Sequence, residues 1–221
     1  PESIKKERYQ IDVLIPLYLD ELVKEQKVTS KGKLPEKAQA GIAFFEGIKL
    51  AVDTLKNMGY QTDIVIHDIA SKGNSVAELI AKDSLLKTDL IIGFVSSQQV
   101  DELAAYAEKK KINFVSAFSP SDANVKANPY FILTNPTLQN NCEAITKSIA
   151  KKPKEEQLFL FYRTTNNLDS SAYEFVRDDT VLDNAILVRC NTMPDSATLS
   201  RLIDTNKTNR ILMPIMDNNY S

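Results

Sequence analysis

Two adjacent serines, Ser96 and Ser97, stand where an apolar run stops and a helical pattern starts, and their hydroxyls suit the holding of a ligand better than its transformation. The run before them, Leu90-Ile91-Ile92-Gly93-Phe94-Val95, is short, β-branched and free of polar groups. It reads as a strand covered on both faces of a parallel sheet. Beyond the serines, Val100, Leu103, Ala104 and Ala107 recur at helical spacing, and Gln99 follows Ser96 by three, as a capping box requires. Hydroxyls beside the unpaired N–H groups and positive dipole of a helix N-terminus suit a carboxylate or another anionic or polar group. The same serines also serve a plain helix cap, the commoner use of serine at this position.

Little else in the chain is equipped to make or break bonds. No GxSxG elbow, GxxxxGK[ST] loop, GxGxxG turn or HExxH pair occurs, and six glycines leave little to build a phosphate cradle from. His67, the one histidine, has no cysteine or carboxylate cluster at metal-ligand spacing. An enzyme, a cofactor and a metal are therefore not expected. Cys142 shares a helical face with Leu138, Ile145 and Ile149, which suits a free thiol packed in a core; pairing with Cys190 is the alternative. The 27 basic and 29 acidic residues nearly cancel, which disfavours a nucleic-acid or anionic-membrane partner. No segment approaches the roughly 20 apolar residues of a membrane span. The polar opening at residues 1–8 reads as a linker rather than a signal peptide.

Elements that must position these residues alternate strand and helix throughout, the pattern of an α/β protein with parallel sheets. Strands are expected at 11–16 (IDVLIP), 63–68 (DIVIHD), 90–95, 112–116, 130–133, 158–162, 185–188 and 210–214. Residues 17–40 read as a long polar stretch, either a functional loop or disordered. A helix at 41–58 is stopped by Gly59, another is capped by Ser75 with Glu78, and a third runs from the serines to about Lys110. Asn135 and Pro136 open a fourth helix to about Lys151, a solvated turn follows it, and helices are expected near 170–179 and 196–203. Ligands of open parallel sheets bind beyond the carboxyl ends of the strands. That rule selects Tyr18, Asp68, Ser96, Ser97, Phe118, Ser119 and Ser121 in the first half, and residues 163–167, including Asn167, with Asp217 in the second. Asp68 serves equally as a turn former at 71–74, Tyr18 as a loop anchor, and Asp217 as an ordinary turn residue.

The order of these parts resembles the type I periplasmic binding proteins, best known from the Leu/Ile/Val-binding proteins of ABC importers. The resemblance spans residue 11 to about 214 and is most specific over 91–140, a strand ending near Gly93, the serine loop, a helix, and a short strand with a small polar loop. It extends to Asp68, where the family places an aspartate, and to Gly47-Ile48-Lys49-Leu50-Ala51-Val52 in the long helix. The resemblance implies two α/β lobes, residues 1–134 and a partial second lobe at 135–221, closing on a small ligand by hinge motion. It implies that Ser97 grips a carboxylate, that Ser119 or Ser121 supplies a second hydroxyl, and that Tyr18 lines the cleft. Residues 163–167 (RTTNN) stand where the family has an aromatic residue, and the family's glycine-rich segment after the long helix is missing. A full member runs further, completing the second lobe. The expected role is an extracytoplasmic solute-binding domain, holding an amino-acid-like ligand for an ABC permease. The alternative is a peptidoglycan-linked regulatory or protein-interaction module of the cell envelope, using the same fold.

Overall fold

Strand β1 (Tyr9–Ile15) lies inside a five-stranded sheet, one place from its edge, because its Val13, Leu14 and Ile15 are wholly apolar and can be covered from both sides. The computed structural model describes residues 6–24, 27–28, 34–123, 127–150, 156–177, 184–192 and 194–216. The chain divides into two compact units, residues 1–135 and 136–221.

All five strands of this sheet, which belongs to the first unit, are parallel. β4 (Thr62–Asp68) lies on one side of β1, and β5 (Leu90–Gly93), β6 (Asn113–Ser116) and β7 (Phe131–Leu133) follow in order on the other. Helix α2 (Glu36–Asn57) covers one face through Ile42, Phe44, Phe45 and Ile48, which pack on Val13, Ile15 and Leu17. Helices α3 (Val76–Ala81) and α4 (Ser97–Lys110) cover the other, where Val76, Leu79, Val100 and Leu103 meet Leu14, Ile91 and Phe114. Burying each such side chain contributes about 1.5–3 kcal/mol. Gly41 lets α2 sit close to the end of β1, since a Cβ there would lie 2.4 Å from the Pro16 carbonyl oxygen.

Residues 17–40 differ from the loop expected of them. Leu19–Leu22 form a turn of helix (α1), Val23–Lys24 (β2) and Lys27–Val28 (β3) pair as an antiparallel ribbon, and α2 begins at Glu36 rather than Gly41. Mixed polar sequence hid α2's first turn, whose inward residues are the small Ala38 and Gly41 rather than a run of large apolar ones. Gly59, at φ +87°, ends α2 as expected.

The second unit has a parallel sheet in the order β10 (Asn209–Leu212), β8 (Gln157–Tyr162), β9 (Ile186–Arg189), with helices α5 (Leu138–Ala150), α6 (Asn167–Arg177) and α7 (Ser196–Leu202). Leu160 and Cys142 pack with Ala172 and Val176, whereas Ile145 turns out to solvent. Cys142 and Cys190 are both buried, and no disulfide joins them. α5 starts two residues later than Asn135-Pro136 suggested: Thr137 takes the cap through Asn140 N–H at 3.1 Å, while Asn135 Nδ2 donates to the Phe118 carbonyl. Asp217 and the turn at 151–155 lie outside the described residues.

Candidate functional site

The chain leaves β1 toward α2 on one face of the sheet, and leaves β5 toward α4 on the other. Neighbouring strands whose exits diverge leave a crevice at their carboxyl ends, the topological switch point of an open α/β sheet. An open depression of about 460 Å³ lies there, lined by Pro16, Tyr18, Ile69, Ala70, Phe94, Val95, Ser96, Gln99 and Phe118. That size suits a small organic ligand.

Of the residues selected from sequence, Tyr18, Ser96 and Phe118 line this depression together. Ser96 is the extended residue before α4, and its N–H donates to Gln99 Oε1 at 2.9 Å, so the capping box forms as the spacing required. Ser97 begins the helix, is exposed, and places its hydroxyl 3.0 Å from that of Ser119. Ser119 itself is buried and also accepts Ser121 N–H at 3.2 Å, and Ser121 Oγ accepts Ala123 N–H. Ser119 and Ser121 are thus spent on the loop after β6, and this loop in turn orients Ser97.

Asp68 plays a different part from a ligand-facing carboxylate. Buried at the end of β4, its Oδ1 accepts N–H bonds from Leu17 (2.8 Å), Tyr18 (3.2 Å) and Ala70 (3.1 Å). Its Oδ2 accepts Leu19 N–H at 2.7 Å and the Ser71 hydroxyl at 2.6 Å. Burial pushes its carboxyl upward, but the Ser71 hydroxyl and the N–H groups of Leu19, Leu17 and Ala70 outweigh this and hold it below the ordinary aspartate value. The tie holds Tyr18 in the left-handed region (φ +58°), where a non-glycine residue is strained, and Lys37 Nζ sits 4.6 Å above the Tyr18 ring. Asp20 Oδ2 accepts Lys72 N–H, fastening α1 to the segment after β4. The floor of the depression is pre-set rather than loose.

Asn167 is in the second unit, exposed at the first turn of α6. Its neighbour Arg163 is turned inward: Nε donates to the fully buried Asp169 at 2.6 Å, and Asp169 also accepts Asn166 Nδ2 (2.8 Å) and Met216 N–H (2.8 Å). Burial raises the Asp169 carboxyl, and Met216 N–H, Arg163 and Asn166 more than reverse it, so it stays ionised. Arg163 and Asn166 are therefore committed to the buried Asp169, while Thr164, Thr165 and Asn167 stay exposed.

Sequence reasoning missed Phe94 and Gln99 as lining residues. Phe94 looked like the interior of a strand, but β5 ends at Gly93, and Gln99 was legible only as a cap partner. It also missed a pair on neighbouring strands: Asp12, buried in β1, lies 2.6 Å from His67 Nε2 in β4. Asp12 stands opposite Val65, so His67 is its diagonal neighbour on the same face. Among the described residues no group of three or more His, Cys, Asp or Glu is placed to hold a metal ion.

The periplasmic binding protein family model matches residues 35–177, more than half of the chain. The chain belongs to that family. No curated protein sequence matches it. Solved structures share the fold at low identity. The ABC transporter substrate-binding protein of Desulfitobacterium hafniense in complex with Leu is 18% identical, with a TM-score of 0.59 over 94% of this chain and 58% of that one. An ABC-type branched-chain amino acid transporter of Rhodopseudomonas palustris is 16% identical, with a TM-score of 0.60 over 93% and 54%. A solute-binding protein of an ABC transporter from R. palustris, in complex with 4-hydroxybenzoate, is 18% identical, with a TM-score of 0.54 over 93% and 53%. The present chain spans little more than half the length of these periplasmic binding protein relatives. Family membership implies an extracytoplasmic setting, and among the described residues no helix is long and apolar enough to cross a membrane.

Proposed function

We propose that this chain is the ligand-holding part of an extracytoplasmic solute-binding protein that serves an ABC importer. The observation that carries the reading is the switch-point depression of the first unit, where the exposed Ser97 and the lining Ser96 bring hydroxyls to the head of α4. The Ser97 hydroxyl donates to the carboxylate or other polar end of a small ligand, helped by the N–H groups and dipole of α4's first turn, while the Ser96 hydroxyl is held by Gln99 Oε1 at 3.1 Å. Ser119 orients Ser97 from behind. The side chains lining the depression offer hydrogen bonds and apolar contact, with no carboxylate–imidazole pair or activated nucleophile among them, which supports binding over catalysis. The family match and the named transport role of the structural relatives favour import over a wall-associated regulatory role.

Calorimetric titration of the chain with small carboxylates, branched-chain amino acids first, tests the reading. Binding should occur at one site per chain, and Ser97→Ala should weaken it about tenfold, the loss of roughly one hydrogen bond to a charged group. Silence from every carboxylate, or affinity indifferent to Ser97→Ala, refutes it.

A further inference from the structure

Three phenylalanines from three separate elements stand in one column beside the depression. Phe44 of α2 meets Phe94 with ring centroids 5.1 Å apart, and Phe94 stacks on Phe118 at 4.3 Å with 24° between the planes. Phe44 and Phe94 are half-buried, whereas Phe118 is 54% exposed and lines the depression. A ring with one face stacked and the other open presents a flat, electron-rich surface, and aromatic groups gain from meeting it beyond the area they bury.

The loop that carries Phe118 cannot easily fold the ring away. Asn135 Nδ2 donates to the Phe118 carbonyl at 2.6 Å, Ser116 Oγ donates to the Ser119 carbonyl at 3.2 Å, and Ser119 Oγ holds Ser121 N–H. The ring is therefore carried on a loop pinned by three hydrogen bonds, which lowers the ordering cost of binding. Ser97 Oγ and the first N–H groups of α4 supply donors beside the depression, whereas Ser96 spends its N–H and its hydroxyl on Gln99 Oε1, and no carboxylate is among the described lining residues; Asp68, the nearest acid in sequence to the lining residues Ile69 and Ala70, spends both oxygens on five donors.

We propose that this depression prefers a planar aromatic monocarboxylate, its ring lying on the open face of Phe118 and its carboxylate directed to Ser97 and the first N–H groups of α4. The inference rests on the depression being the ligand site. Phe118 is then the residue that sets ligand class, Phe94 and Phe44 back it, and Ser97 with the head of α4 holds the acid group whatever the rest of the ligand is.

Benzoate and cyclohexanecarboxylate make a matched pair of similar size and equal charge, one flat and one puckered. The whole chain, Phe118→Leu, Phe118→Ala and Ser97→Ala are each titrated by calorimetry with both acids and with leucine. Benzoate should bind roughly threefold to tenfold more tightly than cyclohexanecarboxylate, the worth of one aromatic pair. Phe118→Leu and Phe118→Ala should both remove that ratio, while Ser97→Ala weakens the two acids alike. Equal binding of the pair, or a ratio that survives both Phe118 variants, overturns the aromatic preference. If leucine or cyclohexanecarboxylate binds best and responds to Ser97→Ala but not to the Phe118 variants, the ligand site stands and the aromatic preference falls. If no acid binds, the site and the preference fall together.

Discussion

Asp68→Asn isolates what holds the floor of the depression. The native carboxylate gathers five donors, three on Oδ1 and two on Oδ2. An asparagine that keeps its oxygen on the three Oδ1 amides turns its NH₂ toward Leu19 N–H, a donor facing a donor, and toward the Ser71 hydroxyl, which must rotate to accept. Hydrogen bonds to a charged acceptor contribute about 1.5–3 kcal/mol each, and such bonds in one network do not add fully, so the expected cost is about 3 kcal/mol. Because the chain has two compact units, a single melting curve mixes their responses, and a local probe is needed. Amide hydrogen exchange at Leu17 and Leu19 supplies it: 3 kcal/mol off the local opening energy speeds their exchange about a hundredfold, provided opening is local. The pH dependence has a definite sign. A carboxyl held below its ordinary value of about 3.9 binds fewer protons folded than unfolded, so its contribution is fully present above that value and is lost as pH falls through the lower folded one. Unchanged exchange at both amides in Asp68→Asn, together with unchanged acid sensitivity, would show that the tie does not fix this segment.

Gly41→Ala should destabilise the first unit by about 1–3 kcal/mol despite alanine's better helix propensity, because the new Cβ lands on the Pro16 carbonyl; a raised melting temperature would contradict it. Arg163→Met leaves Asp169 buried without its cation and should cost about 3–5 kcal/mol, read as a lower urea midpoint for the second unit; Asp169→Asn in the same chain should recover part of that loss. His67→Ala removes the close partner of the buried Asp12, whose carboxyl burial pushes upward and His67, Thr88 and Gln10 draw below the ordinary value. Urea titrations should show about 2–4 kcal/mol lost near pH 7 and less near pH 3, where protonation of Asp12 no longer leaves a charge unpaired.

The alternation of strands and helices was legible because each buried strand is an apolar run and each main helix repeats its apolar face. Val13 to Ile15 and Ile91 could hardly be anything but sheet interior. The Ser75–Glu78 and Ser96–Gln99 boxes were readable because capping is local chemistry, three residues from donor to acceptor. What escaped notice depends on distant pairing. Nothing near Asp68 in sequence announces that it collects the amides of residues 17–19, about fifty positions away, nor that His67 would stand diagonally from Asp12. Arg163 looked available among polar neighbours, yet its partner Asp169 reaches it only once α6 is wound. The depression was legible as a place, the carboxyl ends of the strands, and partly illegible as a set of side chains, because a polar residue at a strand end can face either the depression or the loop behind it.

The lining of the depression comes from segments that begin where strands stop: Pro16 and Tyr18 after β1, Ile69 and Ala70 after β4, Phe94 to Ser96 after β5, Phe118 after β6. Replacement of Phe118 or Ser96 alters no residue of the sheet interior. The walls of the depression are therefore open to change one loop at a time without disturbing the sheet. Asp68 is the exception, since its five bonds tie the β1 exit to the β4 exit and a change there disturbs both walls together. Divergence from a common ancestor should have free rein at Phe118 and run into resistance at Asp68, a contrast that a library of point variants selected only for folding would reveal without any ligand in hand.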